Sequence, residues 1–271
     1  MGLPDQDTVL TPTVVSPTRQ WIFGRTARID REEIIDTTQP SRADLAGTYR
    51  DIARINRFLG GTRAVLSALA PLIEETAAAK STVTSPICIL DIGTGSGDIP
   101  RAISRAASRG RFPGAQHRAV MLRATDINPK VVALARRQTA RNDYPGIDIE
   151  EADALCLPYP DGAFDIALCS QTLHHFRQEE CVRILREMAR VTTTGFIVND
   201  LIRSRIAAVG IRLWTHATFA NRLTRHDAPI SVMRAYTLAE YREMAQAAGL
   251  KDVVVRRVPL YRALLIHRKR N

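Results

Sequence analysis

Cysteine is scarce and unpatterned. Cys88, Cys156, Cys169 and Cys181 are the only four in 271 residues, and no two are spaced C-x-x-C. That argues against a disulfide framework or a metal site, and it suits a reducing compartment. Cys88 and Cys169 lie in apolar runs, where a free thiol packs as a small hydrophobe. No run approaches the ~18–20 consecutive apolar residues of a membrane span. The first residues hold Pro4, Pro12 and Pro17 and no apolar signal core, so 1–27 is expected to be a flexible tail of a cytoplasmic protein. Acid is in short supply: 28 Asp+Glu against 38 Lys+Arg leave a formal charge of +10. Such an excess is either a solvated Arg-rich surface or a match for an anionic membrane, nucleic acid or an acidic substrate. With 45% hydrophobic and 24% charged residues, the chain is neither disordered nor collagen-like.

From Asp44 onward Leu45, Tyr49, Ile52 and Leu59 recur at helical spacing; Gly60-Gly61 interrupts, and Val65, Leu66 and Leu69 resume up to Pro71. This predicts a helical N-terminal cap over 28–80, with the main domain at 81–271. Strand-like runs then alternate with helix-like ones. The strands are expected at Ile87–Ile92, Val120–Thr125, Ile147–Glu150, Phe164–Cys169, Gly195–Val198, Val253–Val258 and Ala263–His267. Helices are expected at Ile99–Ser108, Pro129–Asn142, Gln178–Val191 and Leu238–Ala248, the last stopped by Gly249. Alternation of this kind predicts an α/β fold, a mostly parallel Rossmann-like sheet with helices on both faces. Only Pro259 to Arg262 separates the last two strands, so they should form an antiparallel edge hairpin.

The segment 201–236 falls outside the alternation. Ile202, Ile206, Val209 and Leu213 form a helical stripe, with Trp214 beside it and Arg203, Arg205 and Arg212 off it. It reads either as a cap helix packed on the core or, over 201–223, as a basic amphipathic helix meeting a membrane or a lipophilic substrate. Both readings put it over the mouth of a site.

The richest stretch is Leu90-Asp91-Ile92-Gly93-Thr94-Gly95-Ser96-Gly97-Asp98, an apolar strand turning through alternate glycines into a helix. Glycines let backbone approach a ligand, and a helix start offers free amides. A dinucleotide fingerprint would need its third glycine at position 98, which is Asp. Asp91 would repel a pyrophosphate and favour an ammonium group. The next strand ends in Thr125-Asp126-Ile127-Asn128-Pro129, where an acid can accept from both ribose hydroxyls. Asp153, after the third strand, could accept from an adenine amino group. Three acids at successive strand tips describe a pocket for adenosine joined to an amino acid.

With LDIGTGSGD, TDINP, EADALCLPYPDGAFDIALCS and FIVND, the chain resembles the class I S-adenosylmethionine-dependent methyltransferases over roughly Ile87 to Asp200. The resemblance implies the family's seven-stranded sheet, with a helical cap from the N-terminus and from the insert after strand five. It implies S-adenosyl-L-methionine as cofactor, with Gly93 and Gly95 against its methionine part, Gly97 in the same cofactor-binding loop, and Asp91 reaching its ammonium through the loop or a water. Asp126 with Ile127 would hold the ribose, Asp153 and the Ala154 amide the adenine, and Ser170 would line the sulfonium end. The stretch from Gly97 to Asp126 is longer than usual, with an Arg/Gly-rich insert near Arg109 to Arg118.

The methyl acceptor is less legible. Base-amine methyltransferases carry Asp/Asn-Pro-Pro-aromatic after strand four, where this chain reads Ser170-Gln171-Thr172-Leu173-His174-His175-Phe176. A Pro-Cys nucleophile is absent too, which argues against nucleic acid. His174 and His175 would lie near the reaction centre, where a neutral imidazole could take a hydroxyl proton. His226, beside Asp227, is a third candidate. Similarity is greatest to small-molecule enzymes of quinone, phenol and polyketide tailoring, so O-methylation of a lipophilic hydroxylated aromatic is expected. C- or N-methylation, or a nucleic-acid-associated enzyme, are the alternatives. Trp214, Phe219, Met233 and Tyr236 could wall the acceptor site.

Overall fold

The computed structural model describes residues 26–37, 40–82, 84–141, 144–218 and 221–269. Residues 1–25 of the expected tail, Asn142 of an expected helix and Phe219 of the insert lie outside them. The strands are β1 (Ile87–Ile92), β2 (Val120–Asp126), β3 (Ile147–Glu151), β4 (Phe164–Ser170), β5 (Thr192–Leu201), β6 (Val253–Val258) and β7 (Arg262–Arg268). They form one sheet in the order β3-β2-β1-β4-β5-β7-β6. The first five run parallel, and β7 pairs antiparallel with both β5 and β6. The helices are α1 (Ile34–Thr37), α2 (Arg42–Phe58), α3 (Gly61–Ala79), α4 (Asp98–Ser108), α5 (Pro129–Ala140), α6 (Gln178–Arg190), α7 (Arg205–Ala217), α8 (Arg222–Arg234) and α9 (Leu238–Ala247).

Successive side chains on a strand face opposite ways, so the central strands serve two cores. Leu90, Ile92, Ala167, Cys169, Phe196 and Val198 pack with α6 and α9. Ile87, Ile89, Ile166, Leu168 and Ile197 pack with α3 and α4. α3 lies within the 28–80 segment expected to be helical, but it packs as a layer on the sheet. It continues through Pro71 to Ala79 and lays Val65, Leu69, Leu72 and Ile73 directly on the sheet. Proline forfeits one backbone bond there, but these four buried side chains at roughly 1.5–3 kcal/mol each outweigh it.

β5 is longer than its apolar run. Asn199 and Asp200 are polar yet wholly buried, so they interrupt the pattern without ending the strand. The Arg/Gly-rich insert packs against the end of α3: Phe112 is buried, and Arg118 donates to Ala77 O at 3.0 Å and Ser85 O at 3.1 Å.

The carboxyl ends of β1 to β5 face a lid of α1, α2, α7 and α8. In the lid α8 packs on α7, α2 and α1. Asn221 caps α8 by accepting from Thr224 N at 2.8 Å, and its own amide donates to Asp51 at 2.8 Å. Asp227 accepts from the Ile34 and Ile35 amides at 3.0 and 3.1 Å, starting α1. The expected stripe divides: Ile202 bridges to Tyr236 beyond β5, while Ile206, Val209 and Leu213 of α7 face solvent. Thr26, inside the expected tail, is held by Arg203, which donates to its carbonyl at 2.7 Å.

Candidate active site

The turn after β1 requires glycine. Gly93, Gly95 and Gly97 have φ of +66°, +55° and +76°, a region that side chains bearing a Cβ avoid. Space is short as well: a Cβ on Gly93 would fall 2.5 Å from Thr172 Oγ1, and one on Gly95 2.7 Å from Tyr49 Cε1. Tyr49, from α2, therefore lies against the loop. Its apolar spacing read as core, so sequence reasoning had no signal for this position.

Asp91 is 2% exposed, and its Oδ2 has no hydrogen-bond donor. Burial, reinforced by the charges of Asp98 and Asp126, lifts its pKa to about 7. A carboxylate in that state costs free energy, which a cationic ligand group would relieve. Asp126, at the tip of β2, accepts from Gly95 N through Oδ2 and from Asn128 N through Oδ1, both at 3.0 Å. Burial raises its pKa as well. Each oxygen keeps a second lone pair, the capacity that diol recognition needs. Asp153 Oδ1 accepts from Leu155 N at 2.8 Å, shaping the turn that buries Ala154. Ile127 is 62% exposed at the rim. Ser170 Oγ accepts from Asn199 Nδ2 at 2.9 Å across the β4–β5 boundary. The glycines, Asp91 and Asp126 thus form one cluster, with Asp153, Ala154 and Ser170 on neighbouring strand ends.

Beside this cluster lies a cavity of about 390 Å³, within the range of small-molecule sites. Ile52 and Ile55 of α2, Leu59 just after it, and Ile206, Ile211 and Trp214 of α7 supply apolar wall. Glu33, Gln171, His174, His175, Asp227 and Arg262 supply polar wall. Of the four aromatic and apolar residues expected there, Trp214 lines the cavity. Tyr236 instead joins the core under α6, donating to Phe176 O at 2.8 Å, and Met233 is not among the lining residues. Arg262 is 1% exposed; burial lowers its pKa to about 10, and its Nη1 has no partner. Gln171, at the cavity edge, has a positive φ of 55°, uncommon for a residue with a Cβ.

His174 and His175 sit on the turn after β4, pinned by Arg28, which donates to His174 O at 3.0 Å and Phe176 O at 2.9 Å. His174 Nδ1 lies 2.7 Å from Asp200 Oδ1, and its amide donates to Asp200 Oδ2 at 3.1 Å. Burial alone would raise the Asp200 carboxyl, but His174 more than offsets it and holds it below the carboxylate range. An ionised Asp200 only accepts, so Nδ1 carries a proton toward it, and Nε2 lies 3.8 Å from Glu33 Oε1. His175 differs. Burial lowers its pKa, yet Glu33 and Asp36, the latter 2.9 Å from Nδ1, raise it to about 9. Glu33 accepts from Ser231 Oγ at 2.7 Å. Glu33, His174 and His175 bring ligand-type atoms within 4.8 Å of one another, a grouping able to hold a metal ion where the sequence predicts no metal site.

His226 stands apart. Its Nδ1 meets Asp227 at 2.8 Å, as the sequence predicts, but Nε2 meets Arg31 at 3.0 Å and the ring is not among the cavity-lining residues. Both nitrogens are engaged, leaving none to reach an acceptor. Glu33 and Asp36 were missed by sequence reading because they precede the first regular apolar pattern.

The sheet order and the glycine loop resemble those of the class I S-adenosylmethionine-dependent methyltransferases, and residues 89–195 match the family described as a methyltransferase domain. The chain is 34% identical over 121 residues to the demethylmenaquinone methyltransferase of Deinococcus radiodurans, covering 45% of each. It is 32% identical over 108 residues to the 27-O-demethylrifamycin SV methyltransferase of Amycolatopsis mediterranei, covering 40% of this chain and 35% of that one. The aligned part therefore spans less than half the length of these relatives. Human N-acetylserotonin methyltransferase, solved in complex with S-adenosylmethionine, shares the fold at a TM-score of 0.59 and 16% identity, over 89% of this chain and 60% of that one.

Proposed function

We propose that the chain transfers a methyl group from S-adenosylmethionine to an oxygen of a small, lipophilic, hydroxylated aromatic or polyketide-like acceptor. The observation that carries this is the juxtaposition of an acid-lined glycine loop with an apolar cavity walled in part by His174, which is itself paired with the buried Asp200.

The residues present fit the cofactor. The donor-less, buried Asp91 Oδ2 suits an ammonium group, and Asp126, tied to the loop by the Gly95 amide, suits a ribose diol. Ile127, Asp153, Ala154 and Ser170 complete its adenine and sulfur ends in this proposal. When bound, the cofactor supplies an electrophilic methyl carbon, so the protein's work is positioning, exclusion of water and proton removal. His174 Nε2 takes the acceptor hydroxyl proton, and Asp200 holds the imidazole in the required tautomer and stabilises its cation. His175 is a cation at neutral pH, so it does not serve as base; it offsets charge developing on the acceptor oxygen. The apolar wall selects a lipophilic ring and keeps water out. All four cysteines are free, and the activity belongs in a reducing cytoplasm.

Incubation with methyl-labelled cofactor and a panel of lipophilic phenols, quinols and aromatic acids tests the reading. The expected product carries the label on oxygen. A label on ring carbon or nitrogen, or on no member of the panel, would overturn it.

A further inference from the structure

We infer that the rim of the acceptor cavity docks on an anionic phospholipid bilayer, so that a bilayer-dissolved acceptor enters without crossing water. The lipophilic acceptor rests on the proposed function; the docking itself needs no methyl transfer.

The surface is specific. Eight large apolar side chains are exposed among the described residues, and five lie on three segments bordering one cavity. They are Phe58 (65%) at the end of α2, Ile206 (44%), Val209 (50%) and Leu213 (67%) on α7, and Leu260 (56%) between β6 and β7. Leu59, Ile206, Gly210, Trp214, Leu260 and Tyr261 line the cavity itself, so the exposed groups ring its mouth. On α7 the spacing 206, 209, 213 places three of them along one helical face. Apolar crowns of this kind mark interaction sites on otherwise soluble surfaces.

Charge says what the crown meets. No Asp or Glu occurs between 52 and 73, between 201 and 226, or between 253 and 271. Arg57, Arg212 and Arg257, all exposed, stand next to or near Phe58, Leu213 and Leu260 in the chain. An apolar crown carried on segments that hold arginines and no acids, with Glu33 and Asp227 set in the cavity wall, matches an anionic leaflet: side chains enter the acyl boundary while arginines meet headgroup phosphates. A second copy of this chain would bring an equally positive collar and be repelled, and nucleic acid would match the charge but leave the crown in water. No helix among the described residues is long and apolar enough to cross a membrane, so this is docking on the surface.

The test is flotation of the full chain with phosphatidylcholine vesicles, with and without phosphatidylglycerol. The wild type should float with anionic vesicles and be released by salt. Val209→Asp combined with Leu213→Asp, neither residue lining the cavity, should weaken that partition roughly ten-fold or more while S-adenosylmethionine binding stays unchanged. Absence of flotation with anionic vesicles, equal flotation of the double variant, or a double variant that only dissociates a dimer would each overturn the proposal. Methylation of a water-soluble phenol, followed separately, reports on the reaction and not on the docking.

Discussion

Asp200 Oδ1 lies 2.7 Å from His174 Nδ1, and both side chains are out of solvent, with His174 in the wall of the cavity beside the glycine loop. The carboxylate is ionised and the ring is thereby oriented with Nε2 toward the cavity wall. Asp200→Asn keeps the shape but can present an amide N–H to Nδ1, favouring the wrong tautomer. Turnover should fall by about 10²–10⁴-fold with S-adenosylhomocysteine affinity unchanged, which steady-state kinetics and calorimetry would separate.

Asp91 predicts a proton signature of binding. Its pKa of about 7 in the free protein reflects burial among other acids, and a bound ammonium favours the ionised form. Binding near neutral pH should therefore release a proton, seen as a dependence of calorimetric heat on buffer ionisation enthalpy. Asp91→Asn should abolish the release and weaken binding by about 1–3 kcal/mol.

His175 predicts a stability profile. Its pKa is raised from 6.5 in the unfolded chain to about 9 when folded, so its stabilising contribution is full below pH 6.5 and lost as pH rises through 9. Thermal melts should show stability declining across that window, and His175→Gln should flatten that part of the decline.

Gly95 and Tyr49 predict a coupling. Gly95→Ala places a methyl 2.7 Å from Tyr49 Cε1 at a φ of +55°. Cofactor affinity should drop roughly ten-fold or more, at a cost of about 1–2 kcal/mol for the left-handed backbone plus the clash. Tyr49→Ala in the same chain should recover the part due to the clash, and a double-mutant cycle would measure it.

How much of this was legible in the sequence follows from where each signal resides. The sheet, its edge hairpin and the glycine turn are local patterns: period-two apolar runs, a short link before Arg262, and backbone angles that glycine alone adopts cheaply. Asp91 and Asp126 were readable because strand ends fix them. Glu33 and Asp36 were not, since they reach His174 and His175 across more than a hundred residues, one just before and one within a single helical turn whose first amides donate to Asp227. Asn199 and Asp200 were passed over as strand because buried polar residues erase the apolar pattern. The stripe of α7 was visible as a stripe; which way it faces is a tertiary fact.

A crystal structure with S-adenosylhomocysteine bound is the most direct test. The cofactor's ammonium should lie within hydrogen-bonding distance of Asp91 Oδ2, its ribose hydroxyls on Asp126, and its sulfur open toward the cavity walled by His174. A sulfur turned away from that cavity, or a nucleoside bound elsewhere with Asp91 still lacking a donor, would contradict the assignment.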